Sequence, residues 1–321
     1  MKNISKIRKS IIFVAAIALI FGACNNDPIY QDEHYKNVIY LLSGTDNIYV
    51  ASYSLDELES TKYATIGCGG SNTNEKEVVI ELAPAPEFVD RFNSFNYDYE
   101  EHYAQLLPPS KYTIESYTVR LPAHSDYHYA RLPIAVKPLG LSPDSIYFIP
   151  LRIMSVSEYE VNENKQFVLF RATIENEYAT QYPQTYYRMS GEMKSPVTNT
   201  VLSGVKLVHP LTKNRIRMFV GAEQFTENTT PDFIARNSVV VEIREDNSVV
   251  VTPYDENRMD VKPLDRVEAD LFYNEYLPEF QQGLATLRVL HLQYQFQRIS
   301  DDGVPGDWFE VSERLVRVEE D

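Results

Sequence analysis

The sequence predicts an all-β protein of two domains, and three observations support this fold class. The chain has 321 residues, enough for two domains of ordinary size. Its apolar residues recur in short runs, many alternating with polar residues, and turn-forming residues separate the runs. Its 23 tyrosines and 15 phenylalanines suit strands, in which aromatic side chains pack well. A polar stretch at 175–184 separates the two predicted domains.

The first domain, residues 37–178, has the pattern of an Ig-like β-sandwich with one short helix. Phe88, Phe92 and Phe95 recur at helical spacing, which predicts a helix with one face against a sheet. Pro133 predicts an edge strand, because proline cannot donate to a β-ladder. About seven short strands with turns between them are typical of such a sandwich. They run from Val38 to Leu42, Ile48 to Ser54, Val78 to Leu82, Tyr117 to Leu121, Leu132 to Val136, Ile146 to Ile153 and Phe167 to Ile174.

The second domain, residues 183–321, reads as another antiparallel β-domain, either a small barrel or a sandwich. Val239–Ile243 and Val249–Val251 flank a polar turn, which predicts a hairpin. From Leu290 to Phe296, apolar residues alternate with His and Gln, so we expect a strand with a polar outer face. Leu264–Tyr276 is the one helical candidate in this domain.

Residues 1–23 predict a lipoprotein signal peptide, followed by a flexible tether at 24–36. Four cations among the first nine residues precede an apolar run from Ile11 to Phe21, which is too short for a membrane anchor. The small residues before Cys24 resemble a bacterial lipobox, which implies lipidation at Cys24; the alternative is an ordinary signal peptide. Acidic residues after it resemble the surface-export signal of Bacteroidetes lipoproteins. We therefore expect a lipid-anchored protein at the outer-membrane surface.

Composition and motifs exclude several classes of function. Lys and Arg number 30 against 46 Asp and Glu, so a net charge of −16 disfavours nucleic acid as a partner. The sequence lacks the motifs of serine hydrolases, zinc proteases, P-loop proteins and dinucleotide-binding enzymes. His124 and His128 have a zinc-compatible spacing but fall in a predicted loop, and the acidic turn at 301–310 is typical of a solvated hairpin. We predict no catalytic residue, metal site or cofactor.

Four phrases in order carry a resemblance to a known family. They occupy residues 77–82, 88–93, 106–112 and 141–153. Residues 76–175 thereby resemble an Ig-like N-terminal domain of Bacteroidetes surface lipoproteins, which precedes family-18 endoglycosidase domains, laminin-G-like domains or β-domains of unknown function. Residues 183–320 resemble the last kind. The resemblance implies a role in polysaccharide utilisation and glycan binding at the cell surface.

Aromatic residues are the best candidates for such a site, because sugars stack on flat rings with polar groups around them. Trp308 beside a Gly/Pro/Asp turn, and the pair Tyr273 and Tyr276, are the candidate glycan-binding residues. Each has an alternative interpretation as a packing residue. Ser145, in Asp-Ser-Ile, resembles a Bacteroides O-glycosylation acceptor, with a plain turn as the alternative.

The leading hypothesis is a non-catalytic surface lipoprotein that captures glycan for a polysaccharide-utilisation system and its outer-membrane transporter complex. The alternative is a structural or protein-interaction subunit of an outer-membrane complex, or an adhesin. A stacked aromatic platform would favour the first, and an exposed apolar patch the second. An enzyme ranks third, because it would need a cleft with two facing carboxylates.

Overall fold

The computed structural model describes residues 36–70, 74–125, 127–226, 229–266 and 271–318. Within them the chain forms three β-sheets and two α-helices, so the predicted all-β class is confirmed. The predicted signal peptide at 1–23, the lipidation site Cys24 and all of the tether except Lys36 lie outside the described residues. No helix in the described part of the chain has the length and apolar character to span a membrane.

The N-terminal domain is a β-sandwich of two sheets around one core. One sheet has the order β10-β1-β3-β8-β6 and the other β2-β11-β9-β4-β7, with β5 beside β9. Inward side chains such as Leu41, Ile80 and Phe170 are fully buried between them. The strands are β1 (Val38–Leu41), β2 (Ile48–Ser54), β3 (Ser60–Gly69), β4 (Val78–Pro84), β5 (Gln105–Leu106), β6 (Tyr112–Thr113), β7 (Thr118–Leu121), β8 (Tyr129–Val136), β9 (Tyr147–Val156), β10 (Glu160–Val161) and β11 (Phe167–Glu175).

The edge position predicted for Pro133 is confirmed. Pro133 pairs with Tyr63 of β3, and β6 covers only residues 135 and 136 on the other side of β8. At Pro133 the strand is therefore an edge, where the missing N–H costs no ladder hydrogen bond. The last strand, β11, runs parallel to β2 from Leu169 to Glu175 and antiparallel to β9.

The predicted helix is α1 (Glu87–Asn96), and it packs on the outer face of the second sheet. Phe88 stacks on Phe167 with ring centroids 3.8 Å apart, and Phe92 meets Phe148 edge-on at 5.0 Å. The expectation for Phe95 was wrong, because its side chain is 76% exposed. Burial centres on Val89 and Asn93, and Phe95 lies about 140° around the helix from that line.

The C-terminal domain is one antiparallel sheet that curls into a nearly closed barrel. Its order is β16-β15-β14-β13-β12-β20-β19-β17, with β18 also paired to β19, and the end strands β16 and β17 pack together. This resolves the choice between barrel and sandwich. The strands are β12 (Thr185–Lys194), β13 (Asn199–Thr212), β14 (Arg215–Phe219), β15 (Ser238–Ile243), β16 (Val249–Pro253), β17 (Met259–Pro263), β18 (Glu275–Gln282), β19 (Ala285–Arg298) and β20 (Phe309–Arg317).

The predicted strands of this domain are confirmed, but its helix is not where we expected. β15 and β16 form the hairpin, with Ile243 opposite Val249. Leu264–Tyr276 is not a helix, because residues 264–266 have no helical structure and Tyr276 belongs to β18. The helix is instead α2 (Pro231–Asn237), where the Thr230 hydroxyl accepts a hydrogen bond from the Phe233 N–H at 3.2 Å. Thr-Pro at its start is a recognisable helix-initiation signal.

The barrel interior holds a buried ion pair. Lys206 Nζ of β13 lies 2.6 Å from Glu313 Oε2 of β20, and their side chains are 1% and 0% exposed. Tyr294 donates its hydroxyl hydrogen bond to Glu313 Oε1 at 3.2 Å. β12 lies between these two strands and carries Gly191 opposite Glu313, where a Cβ would come 2.1 Å from the Ser312 carbonyl oxygen. A glycine is therefore required at this close approach.

The two domains are joined by polar contacts. Arg217 of β14 is fully buried and forms an ion pair with Asp144 of the sandwich. The Asn176 side-chain amide donates to the carbonyl oxygens of Thr212 at 2.6 Å and Arg215 at 3.1 Å. These contacts fix the turns of the barrel against the end of the sandwich.

Candidate functional site

A cleft lies where the end of the sandwich meets the turns of the barrel. Its volume is about 570 Å³, within the range of small-molecule sites, which often occur at domain interfaces. The turn after β2, the segment after β11, the β13–β14 and β15–β16 turns and the start of β18 form its walls. The lining residues are Asp56, Glu177, Tyr178, Lys213, Asn214, Ile243, Arg244, Glu245, Asn247, Tyr276 and Pro278.

Two tyrosines form the aromatic wall of this cleft. The rings of Tyr178 and Tyr276 meet edge to face, with centroids 5.1 Å apart. Tyr187 fixes the backbone here by donating its hydroxyl to the Tyr178 carbonyl oxygen at 2.9 Å. Burial, together with the nearby Glu177, Tyr276 and Asp56, raises the pKa of Tyr178 to about 12. Tyr178 therefore keeps its proton at neutral pH and can act as a hydrogen-bond donor.

Charged side chains surround the aromatic wall without neutralising one another. In the described parts of the chain, none of the five forms an ion pair or a side-chain hydrogen bond. Carboxylates and cations on one rim can together bind the hydroxyl groups of a polar ligand. The five are Asp56, Glu177, Lys213, Arg244 and Glu245.

Local sequence explains how the rim is held. Asn247 adopts a left-handed φ of 65°, which asparagine tolerates in a tight turn. Asp246 Oδ1 accepts from the Ser248 N–H at 3.0 Å and closes the same turn. The Asn214 amide donates to the Ile243 carbonyl oxygen at 3.2 Å, which ties the two barrel turns together. The rim is thus preformed rather than an open loop.

The predicted residues Trp308 and Tyr273 lie elsewhere, along residues 262–266. Trp308 is half-buried, and Lys262 Nζ lies 4.4 Å from its ring centroid. Tyr273 donates its hydroxyl to the Leu264 carbonyl oxygen, and Arg266 lies 5.9 Å from its ring. The structure therefore brings these two residues to one edge of the barrel, where a cation faces each ring.

Tyr276 differs from the expectation of an exposed platform, because its side chain is only 2% exposed. Asn274 between it and Tyr273 has a φ of 43°, and its amide pairs with the Gln293 backbone. This bend sends Tyr273 to the barrel edge and Tyr276 inward to the cleft wall. Buried in this way, Tyr276 cannot form an open stacking surface.

Ser145 lies in the turn before β9 and is half-buried. Its carbonyl oxygen accepts from the Gln181 side chain at 2.8 Å, and the neighbouring Asp144 is bound by Arg217. O-glycosylation at Ser145 stays a prediction.

Sequence reasoning missed most of the cleft. Asp56, Lys213 and Arg244 are far apart in sequence and sit in ordinary polar turns, so only the topology brings them together. The one available signal was the Glu245–Ser248 turn, which was interpreted only as a hairpin connection. In the described residues, no group of three or more His, Cys, Asp or Glu side chains is placed to hold a metal ion.

The family and its relatives are consistent with this architecture. A family model for an N-terminal domain matches residues 35–160, and a model for a C-terminal domain matches residues 166–315. The second match begins before β11, although β11 pairs within the sandwich. The search of curated proteins gave no match.

Several solved structures share the fold. A structural-genomics protein of unknown function from Bacteroides ovatus has a TM-score of 0.67 at 15% identity, covering 87% of this chain and 94% of its own. A multidomain protein that includes DUF1735, also from Bacteroides ovatus, has a TM-score of 0.61 at 14% identity, covering 87% and 93%. An auxiliary nutrient binding protein from Bacteroides thetaiotaomicron has a TM-score of 0.55 at 10% identity, covering 86% and 93%.

Together the two matches span most of the chain, and the strands follow the same two-domain architecture. The chain belongs to the family that these two models describe, in which an N-terminal domain, here a β-sandwich, is followed by a C-terminal domain, here a β-barrel.

Proposed function

We propose that this protein is a non-catalytic glycan-binding lipoprotein of the outer membrane and that the domain-junction cleft is its binding site. Cys24 would carry the lipid, and the sandwich and barrel would face the cell surroundings. The bound glycan would pass to a transporter of a polysaccharide-utilisation system.

The observation that carries this proposal is the combination of a tyrosine wall with unpaired charged side chains. Among the residues that the structure describes, none of the five charged side chains of the rim has an ion-pair partner, so each is available to a ligand. Sugar hydroxyls accept from Lys213 and Arg244 and donate to Asp56, Glu177 and Glu245. Binding in the micromolar to millimolar range, about −8 to −4 kcal/mol, suits such an open and polar site.

One relative with the same fold adds support. The Bacteroides thetaiotaomicron structure is described as an auxiliary nutrient binding protein, and it shares the fold. We infer capture rather than catalysis because the sequence lacks hydrolase motifs and its fold relatives include a nutrient-binding protein.

One observation favours the alternative of a protein-interaction subunit. The β12–β13 hairpin exposes Val197 at 86% and Val201 at 81% of their surfaces. Exposed apolar residues on one hairpin can mark a protein contact. This alternative predicts that Val201→Glu disrupts a complex in the outer membrane while glycan binding is unchanged.

A glycan screen tests the proposal. The soluble chain, residues 25–321, is screened against host and plant oligosaccharides, and the best ligand is titrated by calorimetry against Arg244→Ala. We expect this variant to weaken binding about tenfold, the effect of losing one charge-assisted hydrogen bond. Arg188→Ala is the matched control, since Arg188 is an exposed arginine of β12 outside the cleft. Absence of any binding, or equal binding by wild type and Arg244→Ala, contradicts the proposal.

A further inference from the structure

Arg171 is a half-buried cation without a counter-ion. It lies on the outer face of β11, opposite Val50 of β2 and Phe148 of β9. Its Nε is buried without a hydrogen-bond partner, and its guanidinium forms no ion pair or hydrogen bond with any described residue. Charged groups that leave water normally have a partner, so this arrangement needs an explanation.

The surroundings of Arg171 are aromatic rather than acidic. Its Cζ lies 4.6 Å from the ring centroid of Tyr182, which is 48% exposed. Tyr97 approaches from the end of α1, close enough for the arginine charge to oppose the effect of burial on the pKa of that tyrosine. The nearest carboxylate on the same strand face, Glu175, is bound to the Ser52 hydroxyl at 2.5 Å.

A groove adjoins this arginine. It has a volume of about 470 Å³ and lies between α1, the turn before β2 and the segment before β11. Leu169, two residues before Arg171 on the same face of β11, lines it, and so does the exposed ring of Phe95. Its polar rim combines side-chain amides with charged groups and a hydroxyl, namely Asn47, Asn96, Asn164, Gln166, Asp46, Glu163, Arg91 and Thr45. The two carboxylates disfavour an anionic group inside the groove itself, so the acidic group is expected at Arg171 and neutral sugar units in the groove.

We propose that Arg171, between Tyr97 and Tyr182, binds the carboxylate or sulfate group of an acidic sugar whose neighbouring units occupy the adjacent groove. This would be a second glycan subsite, outside the cleft at the domain junction; the inference rests on the proposed glycan-binding function and names the class of glycan. The guanidinium presents a planar fork of N–H donors that matches a carboxylate or sulfate. The two tyrosines would shield the pair from water, and the groove amides would bind neutral hydroxyls.

The acidity of the whole chain does not contradict this site. The net charge of −16 repels anions at long range, but salt screens exposed charges beyond about 8–10 Å. In direct contact, an unpaired arginine dominates. The effect of the net charge is to slow association and to favour ligands with a few charges over densely charged polymers.

The test uses matched pairs of oligosaccharides. Uronate-containing and sulfated oligosaccharides are titrated into the soluble chain beside their methyl-esterified or desulfated counterparts. Wild type should bind at least one acidic member about 10-fold to 100-fold more tightly than its neutral counterpart. Arg171→Gln should remove this preference and leave affinity for the neutral member unchanged. Arg171→Lys, which keeps the charge but loses the fork, should fall between them.

Two further measurements distinguish recognition of an acidic sugar from loss of the fold and from binding of a free anion. The unfolding midpoint of each variant shows that the fold is retained. Inorganic sulfate at constant ionic strength tests a free anion; if it binds as tightly as the sulfated oligosaccharide, the sugar part of the inference is wrong. No preference for any acidic member, or a preference that survives Arg171→Gln, overturns the inference. Neutral-glycan binding that Arg244→Ala weakens would then still support the proposed function, whereas no binding of either class contradicts both.

Discussion

Arg217 of the barrel binds Asp144 of the sandwich through both terminal nitrogens of its guanidinium group. Nη1 donates to Oδ2 at 2.6 Å and Nη2 donates to Oδ1 at 2.5 Å. Arg217 is fully buried, and its Cζ lies 5.1 Å from the ring centroid of Tyr254 and 5.5 Å from that of Phe225. This contact sets the orientation of the barrel turns that form the cleft rim.

Removing the carboxylate should destabilise the protein. Asp144→Ala leaves a buried guanidinium without its counter-ion, so we expect a loss of about 3 kcal/mol in the free energy of unfolding. Urea denaturation followed by fluorescence measures it. Asp302→Ala is the control, since Asp302 is an exposed turn residue outside this interface. A loss below about 0.5 kcal/mol, typical of surface substitutions, would show that the pair contributes little.

The same contact predicts acid sensitivity. Burial alone would raise the pKa of Asp144, but the hydrogen bonds and charge of Arg217 outweigh burial and lower it. Burial, with the charge of Arg217, lowers the pKa of His209 from 6.5 to about 4. Since the unfolded chain then binds more protons at both groups, stability falls as pH drops below about 6.5.

The contribution of His209 can be isolated by substitution. Urea midpoints at several values between pH 7 and pH 4 should fall for wild type and fall less steeply for His209→Gln. Asp144 would supply the remaining loss at the acidic end of that range. Equal slopes for the two proteins would mean that His209 is accessible to protons in the folded state.

The buried pair inside the barrel makes a separate prediction. Glu313→Gln leaves Lys206 charged and buried, so we expect a loss of about 3–5 kcal/mol in the free energy of unfolding. The double variant Lys206→Met, Glu313→Leu should lose much less, because neither charge is then left without a partner. Thermal and urea unfolding measure both. A double variant as unstable as the single one would indicate that the pair itself stabilises the barrel.

Helix α1 offers a comparison of two phenylalanines. Phe92 packs on Phe148 beneath the helix, whereas Phe95 is mostly exposed. Phe92→Ala should cost about 3 kcal/mol of unfolding free energy, and Phe95→Ala less than about 0.5 kcal/mol. Similar losses for the two would mean that Phe95 packs against the sheet after all, as its spacing alone suggests.

The strands were predictable because apolar and polar residues alternate within the sequence of each strand. Leu290, Leu292, Tyr294 and Phe296 are all buried, as their period of two requires. The curl of the barrel was not predictable, since it depends on how β16 and β17 meet. Helix α2 was missed because its seven residues carry almost no periodic signal. The helix expected over Leu264–Tyr276 was wrong because β18 begins at Glu275, directly after Asn274 with its φ of 43°.

The candidate site was harder to predict than the fold. Aromatic residues beside turns pointed to Trp308 and Tyr273, yet the cleft depends on side chains from both domains. Arg171 looked like one more charge on a strand. Arg171 becomes a candidate binding residue because its guanidinium has no ion-pair or hydrogen-bond partner among the described residues. This is evident only once the fold places it among β2, β9 and α1.

The most direct test of the account is one calorimetric titration series with the best glycan from the screen. Wild type, Arg244→Ala and Trp308→Ala are compared at equal concentration. We predict that Arg244→Ala weakens binding about tenfold and that Trp308→Ala leaves it unchanged. Binding lost in Trp308→Ala and retained in Arg244→Ala would move the site to the barrel edge and contradict the assignment of the cleft.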